Sequence, residues 1–262
     1  MQELYIVKVG GNIIDDEAKL SHFLQSFASL KAKKILVHGG GKLATRIAEA
    51  LAIPQQMVDG RRITDVETLK VVTMVYAGYI NKNIVAQLQG MQVSSIGLCG
   101  PDANIILAHK RENTNIDYGY AGDIDEINVD ALSSLLEQNL NLVIAPISHN
   151  GKGQLLNTNA DTIASEIARS MSKNYKVSLI YSFEKAGVLL DVADESSRIP
   201  AINPVYYREL KSENKIFAGM IPKLDNAFKA LDQGVHEVII GPAEKLHELV
   251  SGKAGTKITA GN

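Results

Sequence analysis

The chain has 262 residues, and its 27 lysines and arginines against 29 aspartates and glutamates leave a formal charge of −2, too balanced for a nucleic-acid surface or a polybasic membrane patch. At 45% apolar and 21% charged residues it has the composition of a globular protein, long enough for one large α/β domain or two lobes around a cleft. One cysteine, Cys99, precludes an internal disulfide; with no basic leader at Met1-Gln2-Glu3 and no apolar run of transmembrane length, a cytoplasmic location is expected, with neither membrane nor nucleic acid as a partner.

Leu4–Val9 is a short, nearly continuous apolar run that ends in Gly10-Gly11, the pattern of a buried parallel strand. Lys8 interrupts it, and a lysine near the end of a buried strand is costly unless it meets an anion. Residues 16–30 place Leu20, Phe23, Leu24, Phe27 and Leu30 at helical spacing after Asp15 and Asp16. Next comes the apolar strand Lys34–Val37, then His38-Gly39-Gly40-Gly41-Lys42, then an amphipathic helix through Leu43, Ile47, Ala48 and Leu51. Glycines between a strand and a helix let the backbone approach a ligand and aim free N–H groups at it from the positive end of the helix, which makes an anion site. The alternative is a turn that needs φ > 0 for packing alone. Neither Gly-x4-Gly-Lys-Ser/Thr nor Gly-x-Gly-x-x-Gly fits these residues. The opening therefore reads β-α-β-α with a glycine turn after each strand, predicting a parallel sheet with its ligand at the strands' carboxyl ends.

Asp59-Gly60 is a hairpin signal, and the two arginines that follow differ in expectation: Arg61 reads as solvated surface, Arg62 as a bidentate grip on a carboxylate. Thr64 with Glu67 resembles a capping box for a long helix towards Leu88 that contains Gly78, where close packing or a ligand approach is expected. A strand at Ser94–Leu98, hairpins within Gly100–Asn128, a helix over Val129–Gln138 and a strand over Asn141–Ile147 follow. In Asn157-Thr158-Asn159-Ala160-Asp161, two asparagines and an aspartate exceed what one helix cap requires. Val177–Tyr181 is a strand, Phe183–Gly187 a turn, and residues 196–219 a polar loop with a short helix. Met220–Gln233 is a helix with Pro222 in its first turn and Lys223 at an end whose dipole disfavours a cation, unless an anion sits nearby. The last strands fall at Glu237–Ile240 and Lys257–Ala260, and no internal repeat is present.

Lys8-x-Gly10-Gly11, His38-Gly39-Gly40-Gly41, Gly60-x-Arg62-x-Thr64, Asn157-x-Asn159-Ala160-Asp161 and Gly219-Met220-x-Pro222-Lys223 occur in that order. Together they resemble the amino acid kinase family over nearly the whole chain. The resemblance implies a three-layer α-β-α sandwich around a largely parallel central sheet, in a single domain over 1–262. About 1–173 would bind an acyl amino acid and about 174–262 the nucleotide. It also implies ATP-dependent phosphorylation of the γ-carboxylate of N-acetyl-L-glutamate, an arginine-biosynthesis step, with magnesium carried mainly on the phosphates and no protein metal site. Lys8 and Lys223 would neutralise charge on the transferring and leaving groups, and Asp161 would orient both lysines. Gly10, Gly11, Gly39, Gly40 and Gly41 would bind phosphate oxygens. Gly40, Gly41, Arg62 and Asn157 would hold the acyl amino acid, and Glu184, Gly187 and Lys223 the nucleotide. Glu184 stands where the family usually has aspartate. Members inhibited by arginine carry an extra helix before the first strand, so a homodimer insensitive to arginine is expected. N-succinyl-L-glutamate as the acceptor, another kinase of the same fold and a non-catalytic nucleotide or amino-acid sensor are the alternative readings.

Overall fold

The computed structural model describes residues 1–58, 61–112, 115–216 and 220–261. It opens with β1 (Gln2–Val9), the one-turn helix α1 (Gly11–Ile14), α2 (Glu17–Ser29), β2 (Lys33–His38) and α3 (Gly41–Ala50). A small hairpin, β3 (Met57–Val58) and β4 (Arg61–Arg62), precedes α4 (Val66–Thr73), a π-helical turn over Met74–Ile80 and α5 (Asn81–Gly90). Next come β5 (Ser95–Leu98), β6 (Ile106–Lys110), β7 (Gly122–Ile127), α6 (Val129–Glu137), β8 (Asn141–Ile144), β9 (Ile147–His149) and β10 (Leu155–Asn157). The remainder is α7 (Ala160–Met171), β11 (Tyr175–Phe183), β12 (Ala201–Ile202), α8 (Pro204–Ser212), α9 (Ile221–Asp232), β13 (Glu237–Pro242), α10 (Leu246–Val250) and β14 (Thr256–Ile258).

Among the described residues the central sheet has eight strands in the order β12-β14-β13-β11-β1-β2-β8-β5. Every pairing in it is parallel except β13 with β14. Side chains alternate across a strand, and this alternation builds two cores. Leu4 and Ile6 of β1 face α6, α7, α8 and α9, whereas Val7 and Val9 face α2, α3, α4, α5 and α10. The result is the expected three-layer arrangement, with β1 at its centre. Lys8 has the parity of Leu4 and Ile6, so it emerges on the α7 side.

α2 starts at Asp16, whose carboxylate accepts from the Lys19 N–H at 3.0 Å, and buries Leu20, Phe23, Leu24 and Phe27. At its other end the buried Lys34 ammonium donates to the Ala28 and Leu30 carbonyls at 2.8 and 2.6 Å, using the helix's unpaired acceptors.

Several expectations are corrected. The cap of α4 is Asp65, which accepts from the Thr68 N–H at 2.7 Å, while Thr64 is buried and bridges to Gly119. The expected long helix changes pitch in its middle, and a Cβ added at Gly78 would meet nothing within 4 Å, so packing among the described residues does not require that glycine. The run Asn141–Ile147 splits at Pro146. β8 stays in the central sheet, and β9 joins a second sheet ordered β10-β9-β6-β7. The Asp59-Gly60 turn and Gly219 lie outside the described residues; the strands flanking the former pair antiparallel, with Val58 opposite Arg61.

Candidate active site

Two glycine turns sit side by side at the carboxyl ends of adjacent parallel strands, because β1 and β2 pair in a register that sets Val9 beside His38. A Cβ built on Gly39 would lie 3.9 Å from the Gly11 nitrogen, so the turns nearly touch. Gly10 caps α1 and Gly40 caps α3, and their own and the following N–H groups have no intrahelical partner. Gly40 takes φ +147°, and a Cβ there would stand 2.2 Å from Ile80 Cδ1 and 3.2 Å from Tyr76 Cδ1. Here the glycine is a steric necessity, imposed by the π-helical turn that carries both side chains.

On the α7 side, Lys8 Nζ and Asp161 Oδ1 are 2.8 Å apart, with Asp161 in the first turn of α7. Asn159 caps that helix, its side chain accepting from the Asp161 and Thr162 N–H groups at 2.8 and 3.1 Å. The Lys223 ammonium lies over the Phe183 ring, 4.9 Å from its centroid. Although Lys223 as a residue is exposed, the crowding of its ammonium holds its pKa below the ordinary lysine value. Asp161 pulls it back up and Lys8 pushes it further down. Two cations around one carboxylate leave a net positive charge, a site that favours an anion.

Beside the glycine turns opens a cleft of about 190 Å³, lined among others by Gly40, Arg62, Tyr76, Arg111, Asn157 and Pro146. Arg62 is buried. Its Nη2 donates to the Gly41 carbonyl at 3.0 Å and to Thr45 Oγ1 at 2.9 Å, and its Nη1 donates to Gln55. Its Nε has no hydrogen-bond partner among the described residues. Asn157 Nδ2 donates to Thr64 Oγ1 at 3.0 Å, and that hydroxyl donates to the Arg62 carbonyl at 3.0 Å, tying the two expected substrate contacts together.

The sequence profile of the amino acid kinase family matches residues 3–242. The chain belongs to the amino acid kinase family. It is 56% identical to the acetylglutamate kinase of Cytophaga hutchinsonii over 99% of this chain and 100% of that protein. Its fold is similar to that of smu.665 from Streptococcus mutans UA159, with a TM-score of 0.76 at 25% identity over 98% of both chains. It is also similar in fold to carbamate kinase from Giardia lamblia bound to AMP-PNP, with a TM-score of 0.72 at 13% identity over 99% of this chain and 98% of that one.

In this member of the amino acid kinase family, the expected site residues fall into groups. Gly39, Gly40, Gly41, Arg62 and Asn157 line one cleft; Lys8, Asp161 and Lys223 converge beside it; Gly10 and Gly11 form the neighbouring turn. The nucleotide-side expectations separate. Gly187 and Lys223 line a cavity of about 240 Å³ with Phe183, Leu189, Val192 and Met220. Glu184 faces a different cavity with His22 and Glu244, and its Oε2 accepts from Asn12 Nδ2 at 2.6 Å. Arg61 is exposed, as expected, and also borders the cleft beside the glycine turns, as do Met57, Tyr76 and Arg111, to which sequence reasoning gave no role. Arg111 is held by a bidentate contact to Asp123 from the facing strand β7, and only the strand pairing could have located it. No group of three or more His, Cys, Asp or Glu among the described residues is arranged to hold a metal, and none of their helices is long and apolar enough to cross a membrane.

Proposed function

We propose that the chain transfers the γ-phosphoryl group of ATP to the γ-carboxylate of N-acetyl-L-glutamate, giving an acyl phosphate. The observation that carries this reading is the convergence of Lys8, Asp161 and Lys223 beside two abutting glycine turns and the Arg62–Asn157 cleft. The high identity to an acetylglutamate kinase supports it, and in this reading the step belongs to arginine biosynthesis. A carboxylate is already ionised at pH 7, so no general base is needed. The physical task is to bring an anion up to a polyanion and hold the two in line. Lys8 and Lys223 supply the positive charge, and Asp161, between them, orients both lysines. The N–H groups of Gly10, Gly11, Gly39, Gly40 and Gly41 receive the phosphate oxygens; losing one such donor costs about 10²–10³ in rate. Arg62 and Asn157 hold the acceptor's backbone end beside Gly40 and Gly41. The cavity at Gly187 and Lys223 takes the nucleotide. Magnesium rides on the phosphates, as its preference for oxygen ligands and retained water favours. In this reading residues to about 173 serve the acceptor, those from about 174 serve ATP, and the enzyme is a cytoplasmic homodimer.

A second acceptor, N-succinyl-L-glutamate, is favoured by one feature. Arg61 borders the same cleft as Arg62, and Arg111 lies there paired with Asp123, so the cleft offers one more cationic side chain than a single α-carboxylate uses. The test is incubation of the purified protein with Mg-ATP and hydroxylamine, which traps acyl phosphates as hydroxamates. Hydroxamate from N-acetyl-L-glutamate is the expected result. Greater turnover of N-succinyl-L-glutamate would select the second acceptor, and nucleotide binding with no hydroxamate from either would leave a sensor.

A further inference from the structure

His38 is completely buried at the end of β2, directly before the three glycines, and nothing in the proposed chemistry uses its imidazole. Its Nδ1 lies 2.9 Å from the Gly39 carbonyl oxygen, which can only accept, so Nδ1 carries the proton. Its Nε2 lies 3.2 Å from Asn81 Nδ2. That assignment of the Asn81 amide is fixed by its other partners. Nδ2 also donates to the Val143 carbonyl at 3.0 Å, and Oδ1 accepts from Lys82 Nζ at 3.0 Å. Lys82 in turn donates to the Gly97 carbonyl at 2.9 Å. Only the neutral imidazole protonated on Nδ1 satisfies this chain of donors and acceptors. Gly97 leaves the room it needs, since a Cβ there would stand 2.0 Å from Asn81 Oδ1.

The consequence lies in the Gly39–Gly40 peptide. No peptide bond among the described residues is cis, and in a planar trans peptide the C=O and the following N–H point opposite ways. Holding the Gly39 oxygen against the imidazole therefore aims the Gly40 N–H away from His38. We propose that His38, fixed in one tautomer by Asn81, is a positioning residue that aims the Gly40 N–H at the transferring phosphoryl group. This rests on reading the glycine turn as the phosphoryl cradle. The network enters from α5, which packs on the same face of the sheet as α3, so one helix sets the angle of a backbone donor at the start of its neighbour.

The test uses the full-length enzyme with His38→Asn and His38→Gln. An Asn amide carries its N–H directly on Cγ, where Nδ1 stands, whereas a Gln amide holds it one bond further out. The inference expects His38→Gln to lose kcat by on the order of tenfold or more, with KM for ATP and for N-acetyl-L-glutamate changed by less than about threefold. His38→Asn should recover most of that loss. In ¹⁵N-histidine NMR of the wild-type protein, His38 should show a protonated Nδ1 and an unprotonated Nε2 at neutral pH, a readout that does not depend on any variant folding. Unchanged kcat in His38→Gln, equal losses in both variants, or a protonated Nε2 would each overturn the inference. Wild-type enzyme that makes no hydroxamate would instead fail the underlying reading and is seen in the control alone.

Discussion

The Lys8 ammonium and the Asp161 carboxylate meet at 2.8 Å, joining the end of the central strand β1 to the first turn of α7. Strand parity brings Lys8 to the α7 face, and Asn159 fixes the turn from which Asp161 projects. Partly exposed ion pairs contribute little to stability, so this pair matters for charge placement. Lys8→Ala is expected to lower kcat by about 10²-fold or more, with little change in melting temperature. Asp161→Asn keeps a hydrogen-bonding group but removes the negative charge that offsets the repulsion between Lys8 and Lys223, and kcat should fall by on the order of tenfold. Steady-state hydroxamate assays check both. Equal and mild effects would remove these residues from the chemistry.

Arg62 does two jobs in the structure. It lines the cleft beside the glycine turns, and its Nη2 holds the Gly41 carbonyl. Arg62→Ala is therefore expected to raise KM for the acyl amino acid by about 10²-fold while kcat falls less than about tenfold. Arg62→Lys keeps the charge without the planar fork, so it should restore little of the KM. A variant whose kcat collapses at unchanged KM would make Arg62 a brace for the glycine turn only.

Much of this arrangement was legible in the sequence because it depends on short-range signals. Apolar runs ending in Gly10-Gly11 and in Gly39-Gly40-Gly41 specify buried strands and tight turns, and Lys8 stood out by interrupting one of those runs. Asp161 and Lys223 announced themselves as charges in the first turns of helices. What stayed hidden depends on contacts between distant segments. Asp65 displaced Thr64 as a cap because the chain from Gly119 claims Thr64 in a bridge. The cleft roles of Arg61 and Arg111 depend on how two hairpins face the sheet. Glu184 turns towards Asn12 and away from the cavity with Gly187, a choice between neighbouring cavities that local sequence does not encode.

Gly40 provides a test of the backbone geometry. A side chain there meets two separate penalties, a φ of +147° and an overlap with Ile80 Cδ1 at 2.2 Å. Strained backbone costs about 1–3 kcal/mol and overpacking a similar amount, about 1–3 kcal/mol. Gly40→Ala is expected to destabilise the protein by at least about 2 kcal/mol and to abolish turnover. Ile80→Ala added to Gly40→Ala relieves the overlap but not the φ, so the two substitutions should be non-additive in denaturant melts, with a partial rescue of stability and none of activity. Strict additivity would mean that Ile80 does not press on the turn.

The buried His38 predicts an acid limit. Burial is the dominant influence and pushes its pKa down to about 4 from 6.5; the bond to the Gly39 carbonyl opposes this shift, and the charge on Lys82 adds to it. Between those two values the unfolded chain binds a proton at this site that the folded chain refuses. Unfolding free energy must therefore rise with pH across this window and fall as the solution is acidified through it. At about 1.4 kcal/mol per pH unit, full passage from pH 6.5 to 4 removes about 3 kcal/mol. Other groups titrate over the same range, so the quantity to measure is the difference between wild type and His38→Asn in urea melts at pH 7, 5.5 and 4.5. The variant has no group to protonate at this position and should show a shallower acid slope. Its stability relative to wild type should improve as the pH falls. Parallel pH profiles would mean that His38 titrates alike in the folded and unfolded chains, and the single-tautomer network would fall with them.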